Sequence, residues 1–236
     1  MRTAAILPVK RFTRAKQRLA VSVAEELRED LVRAMVGDVL AALSETASIE
    51  RTIVVTCEDS IAAAARRPGV LVVGDTAEES QSAAVAIGIA QALVEKFERV
   101  LCVPGDCPAL DPTELDSLLR SSDDDGDTDV PTMRPAVTIV PDRHGTGTNG
   151  LLLTPPNAIA PSFGPGSCER HLALAREAGA ICRVERLSSL LLDIDTGADL
   201  AALRERLSAA PTGAPRTRAV LGLTAHPTLA PAAETS

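Results

Sequence analysis

Apolar runs of strand length alternate with helical stretches over the first hundred residues, and that alternation leaves few folds open. Residues 3–9, 51–56, 70–73 and 99–103 read as strands, each apolar along half or more of its length, as strands buried on both faces are. Between them the pattern turns helical. Ser22 and Glu25 have the S-x-x-E spacing of a capping box and open a helix to about Leu43. Leu27, Leu31, Met35 and Val39 fall near one face of it. Asp59 is placed to cap a short helix to Arg66, and residues 80–95 form a third. Repeated strand–helix–strand units imply a mainly parallel sheet. The predicted architecture is α/β: one three-layer, Rossmann-like domain.

The second half continues less regularly. Asp111-Pro112 supplies an N-cap and a first-turn proline for a helix to Arg120. The acidic stretch 121–129 reads as solvated surface with no metal role. Strands are expected at 137–140 and 150–153 around a Gly/Thr-rich turn, then at 181–184 and 190–193, with helices over 167–178 and 199–207. Residues 1–208 make the domain. From 209 to 236 the chain is Ala, Pro and Thr without periodicity, which predicts a disordered, dispensable tail.

Composition excludes several roles. The chain has no Trp, no Tyr and three Phe, too few aromatics for a platform that stacks single-stranded bases. A net charge of −8 argues against nucleic acid and anionic membranes as partners. No run of about 18 apolar residues and no signal-peptide core is present, so a cytoplasmic location is expected. The five cysteines lack CxxC or His-rich spacing and read as ordinary thiols.

Chemistry gathers at the ends of the apolar runs. Val100-Leu101-Cys102-Val103-Pro104-Gly105-Asp106 puts a carboxylate just past a buried strand, at the sheet edge where α/β proteins bind ligands. Leu190-Leu191-Leu192-Asp193-Ile194-Asp195 repeats the arrangement. Together they suggest a Mg²⁺ site held by Asp106 and Asp193, with Asp195 as the substitute, serving a phosphorylated substrate. Five cations in nine residues follow the first strand, among them Lys10, Lys16 and Arg18. Without a GxGxxG or Walker loop, they would neutralise a triphosphate by side-chain charge; a plain solvated loop reads equally well. Phe163-Gly164-Pro165-Gly166-Ser167 runs into a helix, with Ser167 read as its N-cap, and has the makings of an anion site. An ordinary capped glycine loop would look the same. The 145–150 stretch, Gly-Thr-Gly-Thr-Asn-Gly, fits a close approach to ligand or a simple hairpin turn. His144, His171 and His226 show no ligand spacing, and no nucleophile–base set stands out.

Taken in order, Pro8-Val9-Lys10, Ala15-Lys16-x-Arg18-Leu19, Pro104-Gly105-Asp106-x-Pro108, Gly145-Thr146-Gly147-Thr148, Phe163-Gly164-Pro165-Gly166-Ser167 and Asp193-Ile194-Asp195-Thr196 resemble the phosphoenolpyruvate/2-phospho-L-lactate guanylyltransferases. That family sits in the nucleotidyltransferase superfamily of the molybdenum-cofactor guanylyltransferases. The resemblance spans about residues 3–207. It implies a Mg²⁺-dependent transfer of GMP from GTP to phosphoenolpyruvate or 2-phospho-L-lactate, with release of pyrophosphate, in coenzyme F-420 biosynthesis. It further implies that Thr148, Gly164 and Ser167 hold the acceptor, while Lys10, Lys16, Arg18 and Asp106 serve catalysis. Ser80-Gln81-Ser82-Ala83-Ala84 departs from the Gly-Leu-Asn-Ala-Ala of many relatives, so no residue is assigned to the guanine base. A related nucleotidyltransferase, a GT-A-like glycosyltransferase and a non-catalytic nucleotide-binding module are the alternatives. Assembly as a homodimer is left open.

Overall fold

A computed structural model describes residues 1–11, 25–121, 134–210 and 212–223. The first strand, β1 (Thr3–Val9), is apolar on both faces. Ala5, Leu7 and Val9 turn to one hydrophobic layer, and Ala4 and Ile6 to the other. Two layers need covering, and helices supply both covers. On the first side lie α1 (Glu25–Glu45), the short α2 (Asp59–Ala64), α4 (Pro112–Ser121), α6 (Gly197–Ala209) and α7 (Pro215–Val220). On the second lie α3 (Gln81–Val94) and α5 (Ser167–Glu177).

The other strands are β2 (Arg51–Thr56), β3 (Val70–Val73), β4 (Arg99–Cys102), β5 (Ala136–Pro141), β6 (Thr148–Thr154) and β7 (Ile181–Val184). Among the described residues, seven strands make one sheet in the order β3-β2-β1-β4-β6-β5-β7. Only β6 is antiparallel to its neighbours. This is the three-layer, mostly parallel α/β arrangement expected from the strand and helix pattern. The helix starts at Ser80 and Asp111 carry local side-chain caps, of which the one at Asp111 is the one predicted. The Ser80 hydroxyl accepts from the Ala83 amide at 3.0 Å, and Asp111 accepts from the Thr113 amide at 2.7 Å. Asp59 does not cap α2: Glu58 takes that position, and Asp59 sits in the first turn. Ser22 and the predicted acidic loop at 122–129 lie outside the described residues. All five cysteines are free thiols.

Expectations for two longer segments also fail. Residues 190–193 do not form a strand, for reasons that bear on the site. The chain after 209 is not a structureless tail either. Pro215–Val220 is helical and docks on α1, where the buried Asp38 carboxylate accepts from the Arg216 amide at 3.1 Å and the Thr217 amide at 2.8 Å. Asp38 thus caps α7 from 178 residues away, a partner that local sequence cannot reveal. Ala214, Thr217 and Leu221 are buried with it. Residues 224–236 lie outside the described residues.

Candidate active site

Sheet order reverses between β1 and β4, which run parallel side by side, with Ile6 opposite Cys102. Such a switch point opens a crevice beyond the carboxyl ends of the two strands. Lys10 leaves β1 at that edge and Asp106 leaves β4. Because β6 runs the other way, its first residue, Thr148, stands at the same edge. A cleft of about 750 Å³ there is lined by Lys10, Asp106, Thr148, Gly164, Ser167, Asp193 and Asp195. Of the predicted site residues, Lys16 and Arg18 lie outside the described residues.

Asp193 arrives differently from the way its sequence implied. Leu190, Leu192 and Ile194 alternate inward like strand residues. They pack onto the α1 layer rather than joining the ladder, and a 3-10 turn (Ser188–Leu190) precedes them. The period-2 signal is real, but its partner is a sheet face, not a neighbouring strand. Isolated main-chain bonds and one side chain replace the ladder. The Ile194 amide donates to the Asp106 carbonyl at 3.2 Å, and the Arg143 amide to the Leu191 carbonyl at 2.9 Å. Asn149 Nδ2 donates to the Leu190 carbonyl at 2.7 Å and to Asp193 Oδ1 at 3.3 Å. Asn149 was not singled out from the sequence; its place in the Gly/Thr-rich turn was the one signal available.

Electrostatics tie the acids together. Burial, and then the negative charge of Asp106, push the Asp193 carboxyl above its ordinary value; Asn149 opposes this and Asp195 adds to it. Surplus negative charge in a cleft suits a divalent cation. Among the described residues no trio of His, Cys, Asp or Glu is arranged to hold a metal without help. Mg²⁺ in nucleotide sites typically takes one or two carboxylates and completes its octahedron with phosphate oxygens and water. The acids present fit that donor set. Asp199, four residues beyond Asp195, has a different task. Burial alone would raise its pKa, but the Thr196 hydroxyl and amide, the Asp195 amide and Arg143 hold it below the ordinary range. It closes a capping box with Thr196 at the start of α6.

The other wall is the 162–167 loop. Gly166, at φ +70°, is the N-cap of α5, so Ser167 is not the cap but the first helical residue, almost fully buried. Gly164 sits at φ +110°; both conformations are strained for residues with a Cβ. The Ser167 amide donates to the Gly164 carbonyl at 3.0 Å, and the Cys168 amide to the Thr146 carbonyl at 3.1 Å. Two amides of the expected anion site are therefore already engaged. The segment 142–147 is a hairpin turn, with the Thr146 amide on Asp142 Oδ1 at 2.9 Å, and Thr146 and Gly147 also line the cleft.

Two residues with no sequence signal brace this wall. Arg170 donates from Nε to Ser162 Oγ at 2.9 Å, and from Nη2 to the Ser162 and Phe163 carbonyls at 2.9 and 3.2 Å. It also bonds the Pro165 carbonyl. His171 is fully buried, edge-on to Phe163 at 5.1 Å between ring centres. Its Nε2 accepts from the Ser162 amide at 2.9 Å, and its Nδ1 lies 3.0 Å from Thr148 Oγ1. The Phe163 amide donates to Ser82 Oγ at 2.8 Å, joining the loop to α3.

Burial, assisted by the charge of Arg170, lowers the His171 pKa from 6.5 to about 4. As pH falls from 6.5 to 4 the unfolded ring takes a proton and the folded ring refuses it, so stability must fall across that window. At about 1.36 kcal/mol per unit the loss is of order 3 kcal/mol. Urea unfolding of the wild type and His171→Asn between pH 7 and 5 checks this: the wild type should lose stability more steeply. Parallel curves would show that the ring does not carry the effect.

The β5–β6 pairing contains an irregularity next to these groups. Between the pairs Val140–Gly150 and Pro141–Thr148, β6 spends one residue more than β5, and that residue is Asn149. Bulges of this kind re-aim side chains beside active sites.

The family described as "Guanylyl transferase CofC like" matches residues 3–206. A phosphoenolpyruvate guanylyltransferase of Conexibacter woesei is 45% identical over 224 residues, covering 94% of this chain and 96% of its own. A 2-phospho-L-lactate guanylyltransferase of Methanothermobacter thermautotrophicus is 32% identical over 200 residues, covering 85% and 83%. Among solved structures, a nucleotidyl transferase from Methanothermobacter superposes with a TM-score of 0.59 over 87% of this chain and 97% of its own, at 19% identity, a likeness of fold alone. A match along the whole domain, with relatives this similar over nearly their full lengths, makes the chain a member of the CofC-like guanylyl transferase family.

Proposed function

We propose that the protein transfers GMP from GTP to phosphoenolpyruvate, or to the closely similar 2-phospho-L-lactate, as a cytoplasmic step of coenzyme F-420 biosynthesis. The observation that carries this reading is the cleft at the sheet switch point, with a cation on one side, carboxylates at its base and a hydroxyl-lined loop opposite. The names of the relatives, phosphoenolpyruvate guanylyltransferase above all, support the choice of acceptor.

In the reaction, a phosphate oxygen of the acceptor attacks the α-phosphorus of GTP. The new P–O bond forms as the bond to the bridging oxygen breaks, and pyrophosphate leaves with that electron pair. Lys10, joined in this reading by Lys16 and Arg18, neutralises the triphosphate. Asp106 and Asp193, with Asp195 at the rim, would hold Mg²⁺, which would supply positive charge to offset the charge developing on the phosphates. Thr148, Gly164 and Ser167 hold the acceptor's anionic groups and orient its nucleophilic oxygen. No covalent enzyme intermediate is needed.

The direct test is pyrophosphate release with Mg²⁺, GTP and, separately, phosphoenolpyruvate, 2-phospho-L-lactate and 3-phosphoglycerate. Release with one of the first two supports the reading; release with none of the three ends it. Ser167→Ala refines it. Since Gly166 makes the cap, little helix stability should be lost. Removing one hydrogen bond to a charged group should lower acceptor kcat/KM roughly 10- to 100-fold, with the GTP KM little changed. The opposite split would show that the two substrate sites had been exchanged.

A further inference from the structure

His171 does not line the cleft, yet it bonds to both sides of the proposed acceptor site, to β6 through Thr148 and to the 162–167 loop through Ser162. A backbone amide can only donate, so the ring nitrogen facing Ser162 must be the acceptor. In a neutral imidazole the other nitrogen then carries the hydrogen. Nδ1–H therefore donates to Thr148 Oγ1. A hydroxyl has one hydrogen and two lone pairs; with one lone pair occupied by His171, its hydrogen turns elsewhere, and Thr148 borders the cleft.

We infer that His171 is a positioning residue which, as the Nδ1–H tautomer fixed by the Ser162 amide, turns the Thr148 hydroxyl into a donor toward the acceptor's anionic group. The opposite tautomer would draw the hydroxyl hydrogen onto Nδ1 and leave Thr148 presenting lone pairs to an anion. One proton on one ring thus decides whether Thr148 attracts or repels the acceptor. Burial keeps the ring neutral, and Arg170, beside it and positively charged, works in the same direction. A protonated ring would set N–H against the Ser162 N–H and break the arrangement. The inference rests on the reading that the acceptor binds at Thr148.

Two isosteres separate the bonds. Asparagine places an amide nitrogen at the level of Nδ1 and can still donate to Thr148. Glutamine reaches the level of Nε2 and serves only Ser162. His171→Gln and His171→Ala are expected to raise acceptor KM about 10-fold or more, the scale of one charge-directed hydrogen bond, while GTP KM stays within about 2-fold. His171→Asn should recover most of that loss. In a Thr148→Val background, His171→Ala should add little, because the group it orients is gone.

Nitrogen-15 spectra of the histidine-labelled wild type, assigned by the signal lost in His171→Asn, should show His171 protonated at Nδ1 and bare at Nε2. This measurement reads the tautomer in the wild type itself and needs no substrate. An Nε2–H tautomer overturns the inference, as does glutamine outperforming asparagine or an equal rise in GTP KM. If the wild type releases no pyrophosphate with any acceptor, the acceptor reading itself fails and the inference falls with it. If the wild type turns over but the variants do not split this way, only the role of His171 falls.

Discussion

Asp106→Asn is expected to fold like the wild type and to lose roughly 100-fold or more in kcat, the scale of removing one preorganised electrostatic group. The amide matches the carboxylate in size. The Asp106 carbonyl that receives the Ile194 amide is backbone and survives the change, so the 190–195 segment should stay in place. What disappears is a carboxylate charge in the turn that follows β4, on the lining of the cleft. Steady-state pyrophosphate release across a Mg²⁺ titration, with circular dichroism as the check on folding, measures it. Near-normal turnover at ordinary Mg²⁺ would remove Asp106 from the metal set. Asp193→Asn should behave similarly, and a loss confined to Asp195→Asn would make the rim acid the second ligand.

The second large effect concerns stability. A chain ending at residue 210 should melt roughly 10 °C below one ending at 223, a loss of about 3–5 kcal/mol at about 2–4 °C per kcal/mol for a domain of this size. Removing α7 uncovers the apolar contacts of Ala214 and Leu221 in the α1 layer and takes from Asp38 both amides it caps. Differential scanning calorimetry on the two truncations decides it. Equal melting temperatures would mean that α7 rests on the domain without contributing to it. Asp38→Ala, which deletes the cap and the ion pair with Arg216 but leaves α7 in place, should lose about 1–2 kcal/mol.

The sequence was most readable where burial and backbone chemistry are local. The double-sided apolar runs of β1 and β4 announce central parallel strands, and Asp106 follows directly from where β4 stops. Asp111 announces a helix start because the amide it caps lies two residues away. Misreadings arose where the deciding partner is remote or the signal is shared. Leu190, Leu192 and Ile194 carry a strand's alternation but spend it on a sheet face. Ser167 is a good capping residue, yet Gly166, free to take a positive φ, reached the cap first. The helix at Pro215–Val220 depends on Asp38, which composition near residue 215 cannot show. Asn149, Arg170 and His171 act through bonds across 5 to 44 residues, and neither spacing nor periodicity points to them.

The extra residue in β6 sets the phase of the whole pocket. In a regular ladder, Gly150 facing Val140 and Leu190 would send Asn149 to the α5 side and Thr148 to the α1 side. The bulge inverts this at the last moment: Thr148 reaches His171 on the α5 side, and Asn149 reaches Asp193 on the other. Two adjacent residues thus serve the two halves of the pocket from opposite faces of one sheet. A single peptide bond is the yardstick between them, so the acid side and the hydroxyl side keep a common origin and cannot drift apart independently.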